Sequence, residues 1–340
     1  MTTVLAEYVQ RHLLKQLKKK KNFVGFDGIL RPRIKNGVEV PDTKVLRVYV
    51  SKKEPVERLS ARDLIPRTLP LQIDGLVFGS IETDIVEIGE IRALTCAVDS
   101  ESIPDPKARY RPVCTGISST HYQSTACTTN AFFRDKETGK ILLGYNNHCA
   151  ARENKARIGD SILQPSPYDG GRYPTDEIGK LYKFIPIEFE HYNCPFRETL
   201  YKLIRLFRQP KPNEVDIAFV ELSVPYENKV LNGERCRGKR IPMLGERVWK
   251  IGRTTGYTEG TVASTHWNGY VWYTRGKAYF TNCILIQGDR FSQGGDSGSA
   301  VYTYGDNYYI GALFAGSDTH TIVCKYDRIE ALGGVELLVE

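Results

Sequence analysis

Apolar residues are spaced at two periods along this 340-residue chain, and the change of period divides it. Near the start, Leu5, Val9, Leu13 and Leu17 recur every fourth position, which predicts an amphipathic helix over residues 1–21 with a narrow apolar stripe. It runs into Lys18, Lys19, Lys20 and Lys21, read as a solvated helix end whose charges suit the helix dipole. Residues 22–95 read as a small α/β domain. Strand-like runs at 44–50 and 83–88 flank a stretch at 55–64 that predicts a helix, opened by Pro55 and stopped before Pro66. From residue 96 the pattern becomes short apolar or alternating runs broken by turn residues. Runs at 129–133 and 140–145 flank a loop ending in Gly139. Further strands are expected at 215–220, 247–252, 260–264, 271–274, 283–287, 299–303, 308–314 and 321–324. One helix, at 195–209, interrupts them, with Phe196, Leu200, Leu203, Ile204 and Phe207 on one face and Pro210 at its end. So many short strands in one region suit two packed six-stranded barrels, about 96–225 and 240–340, joined by a polar connection. The expected fold class is therefore mainly β: a double β-barrel preceded by a helix and a small α/β domain.

Composition narrows the function classes. Hydrophobic residues make up 41% and charged residues 26%, as in ordinary globular proteins. The balance of 47 basic and 40 acidic residues, 47 − 40 = +7, is too mild to point to nucleic acid, and no nucleic-acid partner is expected. No apolar run is long enough to span a membrane. Residues 1–21 lack the uninterrupted apolar core of a secretory leader, so a cytoplasmic location is expected. The eight cysteines include no Cys-x-x-Cys pair, and no metal site is expected. They could form up to four bridges, or remain buried thiols as in a reducing cytosol; spacing alone leaves both open.

The run Gly295-Asp296-Ser297-Gly298-Ser299 carries the candidate chemistry. A serine between glycines on a tight turn can be presented as a nucleophile, and the N–H groups of Gly295 and Ser297 could hold an oxyanion. A serine nucleophile needs a base and the base needs an orienter. Of six histidines, His148 has the persuasive context, at the end of the strand-like run 141–145. Asp216 enters the apolar run 215–220, where a carboxylate is expensive unless an imidazole or similar group pairs with it. The order His148, Asp216, Ser297 is one of the known orders of serine hydrolases. Gly159-Asp160-Ser161 spells a similar word, but Ile162 follows it, so it reads as a turn entering a strand.

Taken together, residues 96–340 resemble the trypsin-like (chymotrypsin-fold) serine protease superfamily. Within it they look most similar to the group that includes the plant narrow-leaf protein and its prokaryotic relatives. The matching words are Asn146-Asn147-His148, residues 158–165, residues 167–171, Val215-Asp216-Ile217-Ala218, residues 252–256 and residues 295–299, with weaker matches upstream at 48–50, 64–66 and 84–89. The resemblance implies a cleft between two barrels, with His148, Asp216 and Ser297 as catalytic triad and Gly295 and Ser297 as oxyanion hole. It implies a serine endopeptidase acting on a polypeptide through an acyl-enzyme, without a cofactor. Phe291, Phe314, Ala315 and Gly316 fall where that family lines its substrate pocket, and Cys127 and Cys149 match its bridge beside the base. Asn146-Asn147 replaces the usual Ala-Ala. No cleavage site of the trypsinogen kind is present, so Asp296 has no new N-terminus to pair with. Residues 1–95 carry no catalytic candidate and are expected to regulate or to support a homo-oligomer. Two rival readings are a pseudoprotease serving as a binding or chaperone-like scaffold, and an esterase using the same triad.

Overall fold

The protein is described here by a computed structural model covering residues 7–35, 38–73, 76–93, 103–195, 198–199 and 211–339. It divides into two compact units: Met1–Ile91 with His266–Tyr270, and Arg92–Thr265 with Val271–Glu340.

In the first unit a helical segment, Val9–Leu13 followed by Leu14–Leu17, buries Val9, Leu13, Leu14 and Leu17. Leu14 thus widens the stripe read from the sequence. Strand Phe23–Asp27 pairs antiparallel with Val38–Val50 on one side and with residues 267–269 on the other. Gly25 is required there, because a Cβ would sit 2.3 Å from the Asn268 carbonyl oxygen. Leu76–Glu87 runs parallel to Val38–Val50 and antiparallel to Thr68–Ile73. The helix expected at 55–64 is not formed; only the single 3-10 turn Val56–Arg58 is present. The Ser60 hydroxyl donates to the Asp63 carboxylate at 2.7 Å and closes a local turn that competes with helix. Val56 is exposed, so no core face rewards a longer helix.

The second unit is built mainly on two sheets, with a small parallel pairing of Val113–Thr115 and Tyr226–Val230 beside them. One is an open path of seven strands in the order Val335–Leu337, Phe132–Asp135, Ile141–Tyr145, Ala218–Leu222, Glu177–Phe184, Ser161–Leu163 and Thr120–His121. The other is a cycle: Gly276–Gln287, His320–Lys325, Tyr308–Gly316, Ala300–Thr303, Arg247–Gly252 and Gly256–Trp272, the last pairing back to the first. The expected mainly β architecture is present, except that the first sheet has seven strands and does not close. Its added edge, Val335–Leu337, comes from the chain's end and buries Val335 and Leu337. A three-residue strand is too short to show as alternation. The helix Tyr326–Gly333 before it was not expected; it packs Ile329 inward and ends on Gly334 in the left-handed conformation. The run at 260–264 and the start of the run at 271–274 fall in one long strand, Gly256–Trp272, with Tyr273 and Thr274 just beyond its end. The expected helix at 195–209 falls mainly outside the described residues. Among the described residues no helix is long and apolar enough to cross a membrane.

Candidate active site

His148 lies in a helical turn, Asn147–Ala151, that follows strand Ile141–Tyr145. Its Nδ1 is 2.7 Å from Asp216 Oδ2, and its backbone N–H donates to Asp216 Oδ1 at 3.2 Å. Asp216 is fully buried just before strand Ala218–Leu222. Tyr273 completes its shell, the phenol donating to Oδ2 at 2.8 Å. Burial, and after it the Asp216 charge, push the Tyr273 phenol well above its ordinary pKa, so it remains a donor. Nε2 of His148 is buried and without a hydrogen-bond partner. A carboxylate on Nδ1 favours the tautomer with its proton there, leaving Nε2 a lone pair.

The Asn-Asn pair before His148 has a structural role. Asn146 Nδ2 donates to the Asp216 carbonyl at 2.8 Å. Asn147 exchanges hydrogen bonds with Asn154, 2.7 Å to its side chain and 3.1 Å from its backbone N–H. Those contacts hold Arg152, Glu153 and Asn154 at φ of 52°, 53° and 67°, a run that L-residues rarely adopt and that neighbouring structure must impose. Glu153 in turn accepts from the backbone N–H groups of Thr274 and Arg275 at 3.0 and 2.9 Å. The hairpin tip that carries Tyr273 is thereby tied to the turn that carries His148. Cys127 and Cys149 form a disulfide on the same turn. Cys127, His148 and Cys149 form a cluster of possible metal ligands, but both sulfurs belong to that disulfide.

The turn around Ser297 is held from several sides. Gly295 and Gly298 have φ of 96° and 102°, and a Cβ on Gly298 would sit 2.0 Å from the Thr128 carbonyl oxygen. Thr128 donates its N–H to the Ser297 carbonyl and its hydroxyl to the Gly295 carbonyl, both at 2.8 Å. Asn130 Nδ2 donates to the Gly298 carbonyl at 2.5 Å. Asp296 accepts from Thr254 N–H at 2.7 Å, Thr255 N–H at 3.1 Å, Thr255 hydroxyl at 2.7 Å and Gln293 N–H at 2.9 Å. The partner that sequence reasoning lacked is Lys250, fully buried with Nζ 3.6 Å from Asp296 Oδ2. Burial lowers the Lys250 pKa and the Asp296 charge opposes that fall. An internal lysine thus supplies the charged partner of Asp296. Its only sequence signal was a lysine inside the apolar strand Arg247–Gly252. The 252–256 motif supplies the Thr254 and Thr255 donors. Arg253 also pairs with Asp169 of the 167–171 motif, Nε to Oδ2 at 2.8 Å, which accounts for that second word.

Ser297 is buried, and its Oγ lies 3.4 Å from the Phe314 carbonyl oxygen. Its carbonyl oxygen is 3.9 Å from Cys149 Sγ, so the turns bearing Ser297 and His148 adjoin. Phe314, Ala315 and Gly316 lie on strand Tyr308–Gly316 beside the serine. Phe291 is buried in the barrel core with Val248, Val262, Ile286 and Leu313. It follows a loop whose register could not be aligned from sequence. Gly260 and Gly288 leave room for its ring and Cβ. A cleft of about 470 Å³ opens beside His148, lined also by Arg92, Ala93, Arg152 and Tyr273. Asp160 and Ser161 of the second Gly-Asp-Ser word serve a turn and strand, with Asp160 Oδ2 3.1 Å from His121 Nε2.

No protein-family model matches the chain, and no curated protein matches it. Solved structures with which it shows similarity include Thermobifida fusca protease A, at 16% identity and TM-score 0.45 over 67% of this chain and 100% of that one. A Cellulomonas bogoriensis chymotrypsin matches at 18% identity and TM-score 0.44, over 67% of this chain and 99% of that one. A Nocardiopsis protease matches at 17% identity and TM-score 0.44, over 66% and 98%.

Proposed function

We propose that the chain is a serine endopeptidase of the trypsin-like kind, with Ser297 as nucleophile, His148 as base and Asp216 as orienter. The observation that carries this reading is the His148–Asp216 contact of 2.7 Å beside a buried, unpartnered Nε2. A half-satisfied imidazole is costly in a purely structural role and is what a general base requires. In the reaction, the Ser297 hydroxyl turns from the Phe314 carbonyl to Nε2 and gives up its proton as Oγ attacks the peptide carbonyl. The N–H groups of Gly295 and Ser297 receive the oxyanion. His148 then passes the proton to the leaving amine, and water resolves the acyl-enzyme by the same path. Asp216, held by Tyr273, stabilises the imidazolium at each transfer.

Placement of the Ser297 hydroxyl on Phe314 rather than on Nε2 is also what an idle binding scaffold would show. Reaction with a fluorophosphonate probe, followed by mapping of the labelled residue, separates the two. The peptidase reading expects one label on Ser297 and none in Ser297→Ala. An unlabelled native chain, or equal labelling of the variant, refutes it. Comparing turnover of a peptide and of its ester then distinguishes endopeptidase from esterase.

A further inference from the structure

The strand next to Ser297 has an unusual neighbour. Residues Arg92–Ala93 form a two-residue strand that pairs antiparallel with Tyr308–Gly316, Ala93 opposite Ala315 and Arg92 opposite Gly316. On its other side Arg92 pairs in parallel with Trp272. Arg92 and Ala93 also line the cleft that contains His148. The register has a direct consequence. Continuing from Gly316 through Ala315, the next position on the strand is Phe314, whose carbonyl is the one 3.4 Å from Ser297 Oγ. An extended peptide laid antiparallel on this edge therefore meets the serine one residue beyond the position opposite Ala315. Peptides bind exposed sheet edges in this way, through backbone hydrogen bonds. Here the positions opposite Ala315 and Gly316 are already taken by the chain's own backbone.

We infer that Arg92–Ala93 is a built-in occupant of the edge on which a polypeptide substrate docks, competing with substrate supplied in trans. The inference rests on the proposed function in taking this edge as the substrate's. It adds that the site is self-occupied, and that the edge accepts an extended chain with a small residue opposite Ala315 and a cationic one opposite Gly316. Both facing residues are small, which leaves the edge open to a close backbone. Arg92 is exposed and Ala93 is half-buried.

The test uses the full chain with Ser297→Ala, so that no chemistry is involved, with and without the pair Arg92→Pro and Ala93→Pro. Proline removes the backbone N–H and cannot serve as a ladder donor. The probe is a fluorescein-labelled pentapeptide with the sequence of residues 89–93, and its Kd is read by anisotropy. Weakening the internal strand in this way should tighten binding of the probe by about tenfold or more. Equal affinity in the two forms overturns the inference. Hydrogen exchange on the chain without the prolines checks the pairing independently of any variant. The amides at 92 and 93 should exchange at least about a hundredfold slower than in an unstructured peptide; exchange at the free rate overturns the inference. Absence of fluorophosphonate labelling in the native chain would refute the peptidase reading without touching this result.

Discussion

Replacing Lys250 by Met tests what holds the turn that carries Ser297. The side chains of Lys250 and Asp296 are both fully buried, and no solvent reaches either charge. Removing the ammonium leaves a buried carboxylate without its counter-charge, a loss of about 3–5 kcal/mol in comparable pairs. Asp296 retains its donors Thr254, Thr255 and Gln293, so the lower end, about 3 kcal/mol, is expected. Burial lowers the Lys250 pKa and the Asp296 charge opposes that fall; the ammonium also donates to the Thr255 hydroxyl and, at 3.0 Å, to the Gly256 carbonyl, and both hydrogen bonds are lost with it. Removing both charges should therefore be far milder than removing one. Lys250→Met with Asp296→Asn is expected to recover more than about 1.5 kcal/mol of the single-variant loss. The assay is urea denaturation followed by the fluorescence of buried Trp249, next to Lys250 in the same strand, on the native chain, both single variants and the double. Fluorophosphonate labelling in the absence of urea reports the turn itself and should slow in Lys250→Met more than in the double variant. A single-variant loss below about 1 kcal/mol, or losses that simply add, would refute the idea that the lysine holds the Ser297 turn through Asp296.

Other substitutions probe the same site from different directions. Gly298→Ala forces a Cβ to 2.0 Å from a backbone oxygen at φ of 102°, whereas Gly139→Ala meets nothing within 4 Å at φ of 72°. The first should lower stability by several kcal/mol and abolish labelling, and the second by only about 1–2 kcal/mol; similar melting temperatures for the two would contradict this. Tyr273→Phe removes a hydrogen bond to a buried carboxylate and should cost about 1.5–3 kcal/mol, with slower labelling of Ser297. Unchanged stability and labelling would show that the phenol does not support Asp216. His320 is buried and its pKa is lowered to about 4. A histidine with a depressed folded pKa binds its proton more readily when unfolded. Its stabilisation is therefore complete above an unfolded value of about 6.5 and is lost as pH falls toward 4. At most about 3.5 kcal/mol is at stake, and His320→Gln should flatten that part of the stability–pH curve. A curve of unchanged slope between those pH values would refute the assignment.

Much of the site was legible because its residues break local rules. Asp216 in an apolar strand, a serine between glycines and a histidine at a strand end each signal something besides packing. The short strands were legible from alternation, down to the hairpin joining Phe132–Asp135 to Ile141–Tyr145. What sequence could not supply were pairings set by distance in space rather than along the chain. Lys250 is 46 residues from Asp296, and Tyr273 is 57 from Asp216; neither separation has a period that a pattern could reveal. The core packing of Phe291 was hidden for a related reason, since a loop's register depends on the core it fills. The stretch at 55–64 shows the opposite limit: its helix propensity is real but weak, and without a face to bury it yielded to a Ser60–Asp63 turn. Only the tertiary structure decided that Arg92 and Ala93 lie against Ala315 and Gly316. Two residues carry too little hydrophobic pattern to announce a strand. Their conformation is imposed by an edge that exists only once the barrel has formed.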